Sequence, residues 1–93
     1  MGEPARLDKW LFFCRFFKSR SLAAHVVESG AVKLNGTVTV KPAHALRIGD
    51  EVLMPAGPYL RRVRVLALGT RRGAAPEAQA LYEELEWVKA PRE

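Results

Sequence analysis

Residues 19–36, SRSLAAHVVESGAVKLNG, join a helical pattern to a hairpin pattern across one glycine, and this junction restricts the folds open to the chain. Ser19 or Ser21 can cap the helix through its side-chain oxygen. The residues expected to face inward are Leu22, Ala23, Val26 and Val27. Gly30 follows the last turn and can take the left-handed conformation that ends a helix. The sequence therefore predicts a short helix that turns at once into an extended segment.

The extended segment AVKLNGTVTV carries the alternation of a half-buried strand followed by a turn signal. Val32 and Leu34 are expected to face the core and Lys33 the solvent. The dipeptide Asn35-Gly36 is typical of a tight hairpin turn, after which residues 37–40 return as a second strand.

A first helix is predicted at about residues 6–14, within RLDKWLFFCRFF, where apolar residues recur at helical spacing. Cys14 lies on that apolar stripe and is interpreted as a core residue. A single cysteine excludes an internal disulfide and a cysteine-based zinc cluster, and it suits a reducing cytoplasm. The brief apolar run near the start resembles neither a secretory leader nor a membrane span, so a cytoplasmic protein is expected.

The second half of the chain predicts two strands, EVLM and YLRRVRVLAL, separated by PAGP. A last helix is predicted from Pro76, with an apolar side formed by Ala78, Leu81, Tyr82 and Leu85. Its acidic residues are Glu77, Glu83, Glu84 and Glu86. The expected fold class is α+β: two helices on a small sheet plus this acidic C-terminal helix, with residues 6–54 and 55–93 packed as one domain.

Positive charge is concentrated in two parts of the sequence. Residues 1–41 hold seven basic and three acidic residues, and arginine supplies ten of the fifteen cations in a chain of net charge +5. A second basic patch is formed by Arg61, Arg62, Arg64, Arg71 and Arg72. Together with the acidic helix, these clusters predict an electrically two-sided molecule. The planar guanidinium group of arginine can donate two hydrogen bonds to one phosphate or stack on a base. RNA is therefore the favoured partner, and DNA is a possible one.

Other functions have weaker support in the sequence. His25 and His44 lack metal-ligand spacing or a partnered carboxylate, so no catalytic residue, metal or cofactor is predicted. The aromatic residues of the first helix belong mostly to the core, but Phe13 or Phe16 is expected to be exposed. A protein-binding adaptor that uses this aromatic patch and the acidic helix is the alternative from another class.

The segments RLDKWL, KSRSLAAHVVESGAVKLNG and KPAHALRIGDEV together resemble the S4 type of RNA-binding domain. This resemblance implies an L-shaped surface of two helices and a hairpin that grips structured RNA. Carried over position by position, it implies that the RNA-binding residues are Arg6, Lys9, Arg15, Lys18, Ser19, Arg20, Lys33 and Asn35.

The following segment, RRVRVLALGTRRGAAPEAQALYEEL, is similar to the region after the S4 domain in the bacterial heat-shock protein 15 family. That resemblance implies a non-catalytic protein that binds free large ribosomal subunits carrying a nascent chain, with ribosomal RNA and tRNA or peptidyl-tRNA as partners. A monomer is expected by default. Family members usually continue into a basic tail, whereas this sequence ends at residues 91–93. It therefore also resembles the small S4-type factor that assists alanine tailing in ribosome quality control.

Overall fold

The computed structural model describes residues 5–89 as seven strands and three helices. In chain order these are β1 Ala5–Arg6, α1 Leu7–Phe13, α2 Arg20–Glu28, β2 Val32–Leu34, β3 Thr37–Thr39, β4 Ala45–Leu46, β5 Glu51–Ala56, β6 Tyr59–Val65, α3 Ala75–Gln79 and β7 Tyr82–Lys89. Strands β1 and β4 form a small antiparallel pair, and the other five form an antiparallel sheet in the order β3-β2-β5-β6-β7. The predicted α+β class is confirmed. No helix within residues 5–89 is long and apolar enough to cross a membrane.

The core is formed by the apolar stripes of α1 and α2 together with inward residues of the sheet. Trp10 is fully buried, and its indole Nε1 donates a hydrogen bond to the carbonyl of Ala67 at 2.9 Å. Cys14 is buried as predicted, and burial raises the pKa of its thiol far above the ordinary value. The thiol is therefore protonated at neutral pH and is a packing group.

The predicted junction of helix, glycine and hairpin is confirmed. The hydroxyl of Ser19 accepts a hydrogen bond from the amide of Leu22 at 3.0 Å and caps α2, and Gly30 has a φ of 83°. Asn35 and Gly36 have φ of 51° and 86°, the left-handed pair that a tight hairpin turn requires. One inward residue was predicted wrongly: Leu22 is 40% exposed, because it lies beside the buried stripe of Ala23 and Val27.

The prediction of an acidic C-terminal helix is wrong. Helix α3 does contain Pro76 in its first turn, but it ends at Gln79, and the acidic segment forms the edge strand β7. The physical reason is the neighbouring strand: β7 pairs with β6 from Tyr82 opposite Val65 to Lys89 opposite Tyr59. Three cross-strand ion pairs stabilise this pairing, and they join Arg61 to Glu84, Arg62 to Glu86 and Arg64 to Glu83.

Candidate nucleic-acid interface

The predicted cations of the two helices meet at a buried carboxylate, Asp8, in the first turn of α1. Arg6 donates to both oxygens of Asp8, at 3.0 and 3.1 Å, and Arg20, the first residue of α2, lies 3.4 Å from the second oxygen. Asp8 is 2% exposed, whereas the side chains of Arg6 and Arg20 are 40% and 44% exposed. Asp8 therefore holds two half-exposed guanidinium groups at one place on the surface.

The charge of Asp8 is fixed by these partners. Burial by itself would raise the pKa of this carboxyl, but hydrogen bonds from Arg6 and from the amide of Lys9 outweigh burial, and the charges of Arg6 and Arg20 add to them. The pKa of Asp8 consequently lies below its ordinary value of 3.8, and the carboxylate is ionised at neutral pH.

The start of α1 is positioned by the loop that follows β3. The amides of Leu7 and Asp8 donate to the carbonyls of His44 and Pro42, at 3.1 and 3.0 Å. These bonds satisfy amides that have no partner within the first turn of a helix. They also fix the backbone at Arg6, which directly precedes this turn, and at Lys9, which lies within it.

The segment between the two helices is braced by the second half of the chain. Arg15, which has a φ of 65°, donates to the carbonyl of Gly73 at 2.9 Å. Arg72 donates to the carbonyls of Phe12 and Phe17, at 3.3 and 3.4 Å, and its guanidinium lies 4.7 Å from the Phe12 ring centroid. Arg15 and Arg72 thus connect the segment between the helices, which also presents Lys18, to residues 72–73.

Three lysines that were predicted to bind RNA form no ion pair with any residue of 5–89. Lys9 is half-buried on α1, Lys18 is exposed just before α2, and Lys33 is exposed on β2. An ammonium group without an internal partner is available to phosphate oxygens. We call the set Arg6, Lys9, Lys18, Arg20 and Lys33 the basic face.

Two polar residues predicted from the resemblance have internal roles. Ser19 caps α2, as described above. The side chain of Asn35 donates to Asp50 at 3.1 Å and accepts from the amide of Glu51 at 2.9 Å, so it ties the hairpin turn to the start of β5. Both residues therefore have a structural role: they stabilise the helix and the hairpin that carry residues of the basic face.

Asn35 permits a test of this positioning role. Asn35→Ala removes both side-chain hydrogen bonds and replaces a residue that tolerates positive φ by one that does so less well, so we expect a loss of about 1–2 kcal/mol in the free energy of unfolding, measured with urea. Asn35→Gly keeps the left-handed turn and is expected to lose less. Equal stability of all three proteins would contradict the structural role.

Most arginines of the second basic patch form ion pairs with glutamates. The basic and acidic residues are therefore not separated on two sides of the molecule. Arg62 and Arg64 both reach Glu51 as well as their β7 partners, Arg71 pairs with Glu77 at 3.0 Å, and Arg72 braces the helices. The expected two-sided charge distribution is therefore wrong. Sequence reasoning missed the cross-strand pairing, and the predicted site residues did not include Asp8, although an acid flanked by Arg6 and Lys9 was a signal for a shared ion pair.

The model of the S4 domain matches residues 5–52, which contain all the residues of the basic face. The chain belongs to the S4 domain family. Its fold is also similar to the trimeric heat shock protein 15 of Vibrio cholerae, solved at 2.3 Å resolution, with a TM-score of 0.85, 41% identity and coverage of 89% of this chain and 83% of that one.

Two kinds of curated relative resemble the chain. A heat shock protein 15 homolog from Aeromonas salmonicida is 47% identical over 81 residues, which cover 87% of this chain and 61% of that protein. The RQC P-site tRNA stabilizing factor of Listeria monocytogenes is 33% identical over 86 residues, which cover 90% of this chain and 92% of that protein. The chain thus spans about three fifths of the first relative and nearly all of the second.

Proposed function

We propose that this protein is a non-catalytic RNA-binding factor for large ribosomal subunits that carry a stalled nascent chain on tRNA. Ribosomal RNA and the tRNA are its proposed partners, in the cytoplasm. The observation that carries the proposal is the Asp8 cluster, in which one buried carboxylate orients Arg6 and Arg20, while the neighbouring residues Lys9 and Lys18 form no ion pair within residues 5–89. The matched S4 domain contains this cluster.

Phosphate contacts suit such a surface. Protein groups that grip folded RNA by shape and backbone are positive, exposed and rigidly placed, and they read little sequence. The basic face meets these requirements because its guanidinium groups share Asp8 and its helices are braced by Arg15 and Arg72. Its affinity should fall steeply as salt is raised.

Two roles on the same particle are candidates. Rescue of subunits under stress follows the heat shock protein 15 relatives, and stabilisation of tRNA during alanine tailing follows the relatives named for the P site. The predicted acidic helix was one of the two supports of the adaptor alternative, and it is lost because Glu83, Glu84 and Glu86 lie on β7 and pair with arginines.

Sedimentation of the tagged protein through a sucrose gradient of bacterial extract tests the proposal. We expect it to co-migrate with free large subunits that contain tRNA, and to leave them in high salt or after puromycin releases the nascent chain. Residence at the top of the gradient in low salt would contradict the proposal. Migration of the purified chain on its own tests the prediction of a monomer.

A further inference from the structure

The exposed aromatic surface lies on the sheet and not on the first helix. Phe13 and Phe16 are both half-buried, so the expectation that one of them is exposed is wrong. Within residues 5–89 the exposed aromatic side chains are Tyr59 and Trp87, at 42% and 51%. Their ring centroids are 5.8 Å apart and their planes are nearly perpendicular, at 79°. We call them the aromatic pair.

The aromatic pair belongs to one face of the sheet, which it shares with two cations. Trp87 lies opposite Arg61, and Lys89 lies opposite Tyr59. Cross-strand partners project to the same side of a sheet, and residues two apart on one strand do the same. Tyr59, Arg61, Trp87 and Lys89 therefore form one surface at the end of the β6–β7 pair.

Arg61 connects this surface to the helices. Its guanidinium lies 4.7 Å from the Trp87 ring centroid and 4.5 Å from that of Phe16, and its Nε donates to Glu84 at 2.8 Å. Phe16 belongs to the segment between α1 and α2 that also presents Lys18. A row of contacts from Phe16 through Arg61 to Trp87 and Tyr59 thus connects the segment between the helices to the aromatic pair.

The chemistry of this surface suits an unpaired nucleotide. The exposed aliphatic residue of the same strand end, Val88, lies on the opposite face, so the surface offers rings and cations but little aliphatic area for a protein segment. Glu84 is paired with Arg61, and Lys89 forms no ion pair with another residue of 5–89. A phosphate group would consequently meet a net positive surface, and a base would meet an exposed ring.

We propose that Tyr59 and Trp87 form a second RNA contact, on which an unpaired base stacks while Lys89 meets the adjoining phosphate. This inference rests on the proposed RNA-binding function and adds the single-stranded element of the RNA that it recognises. Stacking on an aromatic side chain accepts any base, so the contact selects unpaired structure and not sequence.

The fluorescence of Trp87 provides the test, since Trp10 is fully buried and Trp87 is exposed. The full chain is titrated with a stem-loop RNA and, separately, with the fully paired duplex of the same stem. We expect the stem-loop to quench Trp87 and the duplex to leave it unchanged. Trp87→Leu should bind the stem-loop about tenfold more weakly, whereas Trp87→Phe should retain most of the affinity.

Val88→Ala is the matched control, because it changes an exposed residue next to Trp87 on the other face, and its affinity should stay unchanged. Stem-loop binding without quenching, and with equal affinity for Trp87→Leu, would overturn the aromatic contact while leaving the basic face in place. Failure of the wild-type chain to bind either RNA would overturn the proposed function itself. Quenching by RNA-free ribosomal proteins, with none by the stem-loop, would assign the aromatic pair to a protein partner.

Discussion

Replacement of Lys9, Lys18 and Lys33 together by alanine is expected to abolish tight RNA binding while the fold is retained. A hydrogen bond to a charged group contributes about 1.5 kcal/mol at the lower end of its range, and about 1.4 kcal/mol is tenfold in affinity, so three such losses weaken binding on the order of 10³-fold. The slope of log affinity against log salt concentration should also become shallower, by an amount that corresponds to about three phosphate contacts. Anisotropy of labelled ribosomal RNA measures both quantities.

The matched control for this triple variant is Arg62→Ala, Arg64→Ala and Arg71→Ala. Like the lysine variant, it removes three positive charges from a chain of net charge +5. These charges belong to side chains that are already paired with glutamates. Exposed ion pairs contribute only about 0–1 kcal/mol, so the fold should persist. If the control lost more affinity than the lysine variant, the interface would lie on β6 and β7 and not on the basic face.

The second large effect is expected for Asp8→Asn, which removes the charge that holds Arg6 and Arg20. We expect it to lower the free energy of unfolding by about 2 kcal/mol at neutral pH, because hydrogen bonds to a charged group are lost. Affinity for RNA should fall as well, since the two guanidinium groups are no longer oriented. Glu28→Gln, which changes an exposed acid of α2 without an ion pair among residues 5–89, is the control and should leave stability nearly unchanged.

The pH dependence of the same variant separates charge from packing. The pKa of Asp8 in the folded protein lies below its ordinary value of 3.8, so its ionised form stabilises the fold above that pH. As the pH falls through the lowered pKa, the wild-type carboxyl takes up a proton and this contribution is lost. The free energies of unfolding of the wild-type protein and of Asp8→Asn, measured with urea, should therefore converge at acid pH. A constant difference down to the acid limit would show that Asp8 acts by packing alone.

Local patterns predicted the first half of the fold well. Ser19, Gly30 and the Asn35-Gly36 turn each act through their own backbone or a neighbouring amide, so their conformations follow from short stretches of sequence. The site residues Arg6 and Arg20 were implied by the resemblance to S4 domains. Their common partner Asp8 was not predicted, because Arg20 reaches it from another helix.

The C-terminal strand was missed because its local pattern imitates a helix. Val63 pairs with Glu84 and Arg62 with Glu86, so Leu85 is an extra residue that breaks the alternation of β7. Ala78, Leu81, Tyr82 and Leu85 then fall at helical spacing. The partners that decide for a strand are the β6 arginines, about twenty residues away in sequence, which short-range patterns do not contain.

Photo-cross-linking tests the central claim, that the basic face contacts RNA on the large subunit, most directly. A photoreactive residue is placed at Lys18, and in a parallel protein at Arg71, and each protein is bound to large subunits that carry peptidyl-tRNA. The account predicts cross-links to ribosomal RNA or tRNA from position 18 and few from position 71. Cross-links to RNA from position 71 alone, or to ribosomal protein alone from position 18, would contradict it.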